Sequence, residues 1–389
     1  MRRVSGSGKG VEKVGKRGNG EGSISRRKDG GWMAQYVVHT AAGRKRRTVY
    51  GKTRAEVAAK LAKAVSDRED GLVFDDEGLT IEGYLERWLK DAVRDTVRPS
   101  TYERNQTLVR LHIAPALGRL KLKGLTPAHV RWFYREKLDS GLSGGTVHKM
   151  HVVLHKALGQ AVRDGLIPRN VTEAVKVPRV ERKEITPLTA EETKRFIEAA
   201  RGEARFEALY VLAVTTGMRQ GELLALKWDD VDLERGVLRV RRTITRLNGT
   251  FALGEPKTPK SRRSVKLTGL AVEVLRAHLS RQLEEIDRTG SLYGDQGLVF
   301  ATEAGTLVNP TNLRQRSFAR LLKRAKLPKI RFHDLRHTCA TLLLVRNVNP
   351  KIVSEMLGHS SISITLDTYS HVLPDMQDGA ARALEDALR

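Results

Sequence analysis

Five residues in the second half of the chain have side chains that suit chemistry at a phosphodiester. They lie in short segments at 216–222 (TGMRQGE), 333–337 (HDLRH) and 357–359 (LGH), followed by a tyrosine ten residues further on. Arginine can clamp phosphate oxygens through paired N–H donors, histidine can move protons near neutral pH, and tyrosine can attack phosphorus covalently. None of the five continues an apolar stripe, which disfavours a core role. They are Arg219, His333, Arg336, His359 and Tyr369.

In order, spacing and flanking residues, these segments resemble the tyrosine recombinase (phage integrase) family. The resemblance implies that Arg219 and Arg336 are the two arginines that bind the scissile phosphate. It also implies that His333 is an acid/base, that His359 hydrogen-bonds the phosphate and that Tyr369 is the nucleophile. The intermediate would be a 3′-phosphotyrosyl link that stores the bond energy, so we expect rejoining without ATP, a metal ion or any other cofactor.

Two further residues complete the site that the resemblance implies. Glu222 would orient the site next to Arg219, although the same i,i+3 spacing also fits a surface ion pair worth under about 1 kcal/mol. Lys257, in the pair Lys257-Thr258, would protonate the departing 5′-oxygen. Lys260 in the same basic segment is the rival candidate, and any lysine there could simply contact phosphate.

Two groups of histidines have spacings that also occur in metal sites. His333 and His337 are separated by one helical turn, as zinc pairs are. Because Arg336 between them would repel a cation, we expect no metal there, and we expect His337 only to pack as a neighbour. A second helical stripe lacks any accompanying carboxylate or cysteine and is expected to face solvent or DNA. Its members are His148, His151 and His155.

The charge of the chain points to a polyanionic partner. Its 389 residues include 70 Lys and Arg against 45 Asp and Glu, a formal net charge of +25. The single cysteine, Cys339, excludes an intramolecular disulfide and a cysteine-based zinc site, and is expected to be a small buried hydrophobe. No apolar run reaches about 18 residues, and no signal-peptide core follows the N-terminus. We therefore expect no membrane partner and a place in the bacterial cytosol, in association with DNA.

Residues 1–70 are expected to form a small basic DNA-binding domain. They hold 18 Lys and Arg against 7 Asp and Glu, a formal charge of +11. After a basic arm, three short extended runs separated by turn-like residues predict a three-stranded sheet. A capping box at 53–56 predicts a helix that packs on it. This stretch resembles the arm-type DNA-binding domain at the N-terminus of many phage and conjugative-element integrases.

The rest of the chain is expected to form two domains, a helical one at 75–178 and a mixed α/β catalytic one at 185–389. Helix signals in the first include Ser100 as an N-cap and Thr126 before Pro127, and this segment is similar to the SAM-like core-binding domain of integrases. A charged, proline-bounded linker at 178–187 follows. In the catalytic domain, extended runs at 237–246 and 263–267 with a turn at 248–249 interrupt the helices. The expected fold class is mainly α with small β elements.

Taken together, the resemblance implies a three-domain integrase of a phage or integrative element. Its partners would be double-stranded DNA at core and arm attachment sites, and further copies of itself in a homotetramer on DNA. A host bending factor and an excisionase are candidate partners. Two alternatives stay open: a chromosome-resolving tyrosine recombinase, which usually lacks the first 70 residues seen here, and a catalytically silent architectural DNA-binding protein. The latter would need no phosphate-clamping arginine pair.

Overall fold

The computed structural model describes residues 22–40, 43–69, 78–180, 186–247, 249–256, 259–369 and 384–389. Contacts along the chain divide it into two compact units, Met1–Glu181 and Arg182–Arg389. The boundary between the units falls inside the linker expected at 178–187, whereas the finer division at about residue 70 stays a prediction. Within the described ranges, none of the helices combines the length and apolar character needed to cross a membrane.

The first unit begins with a small antiparallel sheet. Its strands lie in the order β1-β2-β3, and helix α1 packs on one face through a core of Ala34, Val57 and Leu61. Thr53 starts the helix, because its hydroxyl accepts a hydrogen bond from the Glu56 amide. The elements are β1 (Ser23–Arg26), β2 (Trp32–Thr40), β3 (Gly43–Gly51) and α1 (Arg54–Glu69).

A separate, helical core follows in the same unit. Its elements are α2 (Ile81–Trp88), α3 (Pro99–Leu108), α4 (Ala114–Leu117), α5 (Pro127–Asp139) and α6 (Gly144–Arg163). Thr126 caps α5 as expected, with Pro127 as the first helical residue. The expectation for Ser100 was wrong, since α3 already begins at Pro99. Proline presets the helical φ and keeps the residue before it extended, so it fixes the start of the helix one residue earlier.

The second unit is built around one fully buried helix. Every residue of α8 from Ala208 to Val214 is buried, which fits a helix that is apolar on all sides. Thr189 opens the preceding helix with the expected capping box to Glu192. The helices are α7 (Ala190–Ala200), α8 (Glu207–Thr216), α9 (Gln220–Leu223), α10 (Gly269–Thr289), α11 (Pro310–Asn312), α12 (Ala319–Arg324), α13 (Asp334–Val345), α14 (Pro350–Leu357) and α15 (Ile362–Tyr369).

The strands of the second unit lie between α9 and α10. One antiparallel sheet has the order β4-β5-β8, and a separate hairpin joins β6 to β7. The hairpin turns at Gly249 (φ +81°), within the turn expected at 248–249, but its second strand was not predicted from the sequence. The mainly α fold with small sheets is confirmed. The strands are β4 (Val231–Asp232), β5 (Val237–Val240), β6 (Thr243–Leu247), β7 (Thr250–Gly254) and β8 (Arg263–Lys266).

Candidate active site

The first site segment lies in the turn between α8 and α9. Helix α8 ends at Gly217, whose backbone is left-handed at φ +61°. A Cβ atom at Gly217 would lie 2.4 Å from Leu357 Cδ2, so this position has no room for a side chain. Arg219 then precedes α9 with extended backbone, and its Nη2 donates to the Gly358 carbonyl at 3.4 Å. The turn therefore places Arg219 beside the end of α14.

Glu222 is a buried carboxylate held between two arginines. It is 3% exposed and accepts from Arg219 Nη1 at 2.7 Å, from the Arg219 backbone amide at 3.0 Å and from Arg263 Nη2 at 3.0 Å. Burial alone raises the pKa of Glu222, but the charge and hydrogen bond of Arg263, together with Arg219, outweigh it and lower the pKa. The interpretation of a solvated surface pair is therefore wrong, because one partner is buried and shared.

Arg336 is the most deeply buried arginine of the site. Its side chain is 3% exposed, and Nη1 donates to the carbonyls of Gly217 at 2.9 Å and Leu357 at 2.7 Å. Its Nη2 is also buried and finds no hydrogen-bond partner among the described residues. Burial, with the charges of Arg219 and Arg263, lowers the pKa of Arg336 to about 9. A buried, unpaired N–H donor of this kind is suited to bind an anion.

His359 follows the left-handed Gly358 that ends α14. Its Nδ1 lies 2.8 Å from the hydroxyl oxygen of Thr365, which is fully buried on α15. Burial and the charges of Arg336 and Arg219 lower the pKa of His359 to about 4. His359 is therefore neutral at pH 7, and its bond to Thr365 leaves Nε2 for another partner.

Tyr369 lies at the end of α15 and is 2% exposed. Its hydroxyl lies 2.7 Å from His337 Nδ1, so the expectation that His337 only packs as a neighbour was wrong. Burial raises the pKa of Tyr369 to about 12, although Arg336 opposes this. Burial and His333 lower the pKa of His337 to about 4, so a neutral imidazole faces a neutral phenol.

His333 lies immediately before α13, with its ring beside that of His337. Its ring is perpendicular to the His337 ring, with centroids 5.1 Å apart. The surrounding protein removes the His333 ring partly from water. This desolvation, together with the charges of Arg336 and Arg219, lowers the pKa of His333. The three site segments and the tyrosine helix therefore meet in one place, linked through Arg336, His337 and the end of α14.

Of the two lysines considered as general acid, the structure describes only Lys260. Lys257 and Thr258 lie outside the described residues. Lys260 is exposed, and its Nζ donates to the Ser360 carbonyl at 2.8 Å, beside His359. The rival lysine therefore reaches the site.

The histidine stripe on α6 is engaged within the protein. His151 Nδ1 lies 2.6 Å from the Tyr134 hydroxyl and His155 Nδ1 lies 2.8 Å from the Thr172 hydroxyl, whereas His148 is exposed. The expectation of a solvent- or DNA-facing stripe thus holds only for its first member. Across the described ranges, no cluster of His, Cys, Asp and Glu is placed to hold a metal ion. Cys339 is buried, as expected.

Both units contain segments that match known protein families. Residues 186–376 match the phage integrase family, and residues 80–138 match the phage integrase N-terminal SAM-like domain. A XerC-like tyrosine recombinase of Caldanaerobacter subterraneus subsp. tengcongensis is 34% identical over 361 residues, which cover 88% of this chain and 92% of the relative.

Two solved structures share the fold of the chain. One is the Tn1549 transposon integrase in complex with a circular intermediate DNA, with a TM-score of 0.67, 22% identity and coverage of 80% of this chain and 100% of that one. The other is a lambda integrase tetramer bound to a Holliday junction, with a TM-score of 0.55, 20% identity and coverage of 87% and 95%. The chain belongs to the phage integrase family of tyrosine recombinases and is a site-specific DNA recombinase of the integrase type.

Proposed function

We propose that the clustered side chains cut and rejoin DNA through a 3′-phosphotyrosyl intermediate. The observation that carries this proposal is the buried Arg336, which joins the Gly217 turn to the end of α14 and keeps Nη2 unpaired. An arginine that is buried without a carboxylate partner of its own is costly, and a phosphate at Nη2 would offset that cost. Arg219 lies two residues after Gly217 and would bind the same phosphate.

The arginines would supply the electrostatic part of the chemistry. Negative charge builds up on the phosphate oxygens during attack, and fixed positive charges in a partly dry site stabilise it most. Arg219 and Arg336 would stabilise that charge, and His359, neutral at pH 7, would donate a hydrogen bond from Nε2. Contacts within the protein already hold each of these groups in place, so the free energy needed to orient them is not spent when the phosphate binds.

Tyr369 must lose its proton as it attacks phosphorus. We assign the acid/base role to His333, whereas the hydrogen bond between Tyr369 and His337 holds the tyrosine in its buried position. Since Tyr369 is 2% exposed, helix α15 must shift before the hydroxyl can meet a phosphate. Departure of Tyr369 from His337 would thus be the step that couples DNA binding to attack.

The test of this function is adduct formation without metal. The protein should form a covalent adduct with a nicked core-site substrate, and recombination should survive excess EDTA, because arginines replace a metal in neutralising the phosphate. Denaturing gel electrophoresis of labelled DNA measures the adduct. Abolition by EDTA with rescue only by a divalent ion would place the protein in another mechanistic class.

We propose that Lys257 protonates the departing 5′-oxygen. Lys257→Ala should slow cleavage of an ordinary phosphodiester roughly 10²- to 10⁴-fold, but should slow much less the cleavage of a substrate with a 5′-bridging sulfur, which leaves without protonation. Single-turnover rates on the two substrates measure this selectivity. Lys260→Ala is the matched control, and selective rescue in that variant would transfer the role to Lys260.

The N-terminal sheet and helix are proposed to bind arm sites separate from the crossover core. A basic module of this size can neutralise phosphates, and a sheet can enter the major groove and contact base edges. Deletion of residues 1–70 should leave core cleavage largely intact, remove arm-site footprints and lower integration. Footprinting at two salt concentrations measures this, and continued protection of arm sites by the truncated protein would argue for a chromosome-resolving recombinase instead.

The working assembly is proposed to be a homotetramer on DNA in the bacterial cytosol. Exchange between two duplexes breaks four strands and therefore needs four active sites, and the lambda integrase of similar fold is a tetramer on a Holliday junction. A host bending factor and an excisionase are the proposed accessory partners of a phage or integrative element. The mass of the complex on a four-way junction tests the stoichiometry, and a stable dimer would contradict it.

A further inference from the structure

The end of helix α14 is held by several cations. The last carbonyls of a helix have no partners within it and carry partial negative charge, so they attract cationic donors. Here the carbonyls of four residues between 356 and 360 each accept from a different positively charged side chain. The pairs are Arg263 with Met356, Arg336 with Leu357, Arg219 with Gly358 and Lys260 with Ser360.

Arg263 differs from the other arginines of this group in having all its nitrogens occupied. Nε donates to the Met356 carbonyl at 2.5 Å, Nη1 to the Ser261 carbonyl at 3.1 Å and Nη2 to the Glu222 carboxylate at 3.0 Å. Its side chain is 6% exposed, whereas that of Arg219 is 38% exposed. A guanidinium that is buried and bonded to the protein through all three nitrogens has little to offer a DNA phosphate, so its function lies in the groups it connects.

Those groups come from three elements of the site. Arg263 is the first residue of β8, Glu222 lies in α9 and also holds Arg219, and Met356 lies in the last turn of α14, three residues before His359. The close approach extends to Gly358, where a Cβ atom would lie 3.1 Å from Arg263 Cδ. Arg263 therefore connects the group that orients Arg219 to the turn that presents His359.

We propose that Arg263 is a positioning residue of the cleavage reaction, holding Glu222 with Arg219 on one side and the His359 turn on the other. This inference rests on the proposed roles of Arg219 and His359. Only a forked, planar donor can span a carboxylate and two carbonyls in fixed directions. Without it, the arginine and the histidine that bind one phosphate would lose their common anchor.

The charge of Arg263 also keeps Glu222 ionised. The charged groups facing this carboxylate are Arg219 before α9, Arg263 on β8 and Arg336 on α13. Burial raises the pKa of Glu222, and Arg263 is the largest influence that lowers it. Removal of Arg263 therefore raises the pKa, so that Glu222 takes up a proton as the pH falls and releases Arg219.

The test is single-turnover cleavage of a saturating suicide substrate by Arg263→Met between pH 5 and pH 9. We expect cleavage about 100-fold slower than wild type at neutral pH, the scale of a small misplacement of catalytic groups. Core-site affinity should change less than about threefold, because Arg263 makes no phosphate contact. We also expect a loss of rate at acidic pH beyond that of wild type, and this additional loss should be absent from Glu222→Gln/Arg263→Met, whose amide does not titrate.

The control is Arg262→Met, which removes the adjacent arginine. Arg262 is 59% exposed and pairs with Glu255, so its loss should leave the saturating rate within about twofold of wild type. A wild-type rate and pH profile in Arg263→Met would overturn the inference. If that variant does not fold by circular dichroism, Arg263→Lys decides: a rate reduced at least fivefold supports positioning, and an unchanged rate overturns it. Absence of any adduct in wild type would instead count against the proposed function.

Discussion

The Tyr369→Phe variant is expected to bind core-site DNA with unchanged affinity and to form no covalent protein–DNA adduct. The substitution removes only the phenolic oxygen, which is the proposed nucleophile, and with it the hydrogen bond to His337. Loss of one buried hydrogen bond costs about 1 kcal/mol of folding free energy, so the protein should remain folded. A nicked suicide substrate, which traps the intermediate, measures the adduct.

Tyr210→Phe is the matched control for that experiment. Tyr210 is fully buried in α8, and its hydroxyl lies 2.7 Å from the Ser317 hydroxyl, so the variant loses a similar buried hydrogen bond. Because this bond lies in the central core and involves none of the proposed catalytic residues, Tyr210→Phe should keep wild-type adduct yield. An undiminished adduct in Tyr369→Phe would show that another side chain attacks the phosphate.

Local rules account for the parts of the fold that the sequence predicted well. The helix caps at Thr126 and Thr189 could be predicted because each side chain bonds a residue three positions further along the chain, a contact that does not depend on the tertiary fold. The spacing of the segments around Arg219, Arg336 and Tyr369 was likewise readable from the family resemblance. In each case the informative residues are neighbours in the chain or occur in a fixed motif.

The contacts that sequence reasoning missed join distant residues. The bond between His337 and Tyr369 spans 32 positions, and the bond between Arg263 and Met356 spans 93. Nothing in a basic segment with two adjacent arginines distinguishes Arg263, the buried one, from the exposed Arg262. Burial decides the function of such a residue, and burial depends on how β8 packs beside α14. Strand β7 was missed for a related reason, since a two-stranded hairpin depends on its partner and not on its own few residues.

The second large effect is expected for Arg336→Lys, which should lower the single-turnover cleavage rate roughly 10²- to 10³-fold with little change in core-site affinity. Nη1 of Arg336 holds two carbonyls, from Gly217 and Leu357, while Nη2 is left for the phosphate. A single ammonium group cannot keep both carbonyls and also reach the phosphate along a second fixed direction. The loss falls on charge that develops during attack, where a fixed donor is worth most.

Arg346→Lys is the control. Arg346 is exposed at the end of the same helix α13, so this substitution makes the same chemical change away from the proposed site. Its rate should stay within about twofold of wild type. The rates are compared at saturating DNA, so that weakened binding and weakened chemistry are separated. A cleavage rate in Arg336→Lys within tenfold of wild type would mean that the fork geometry is dispensable. The unpaired, buried Nη2 would then be no part of the phosphate site, and Arg219 would have to stabilise the charge alone.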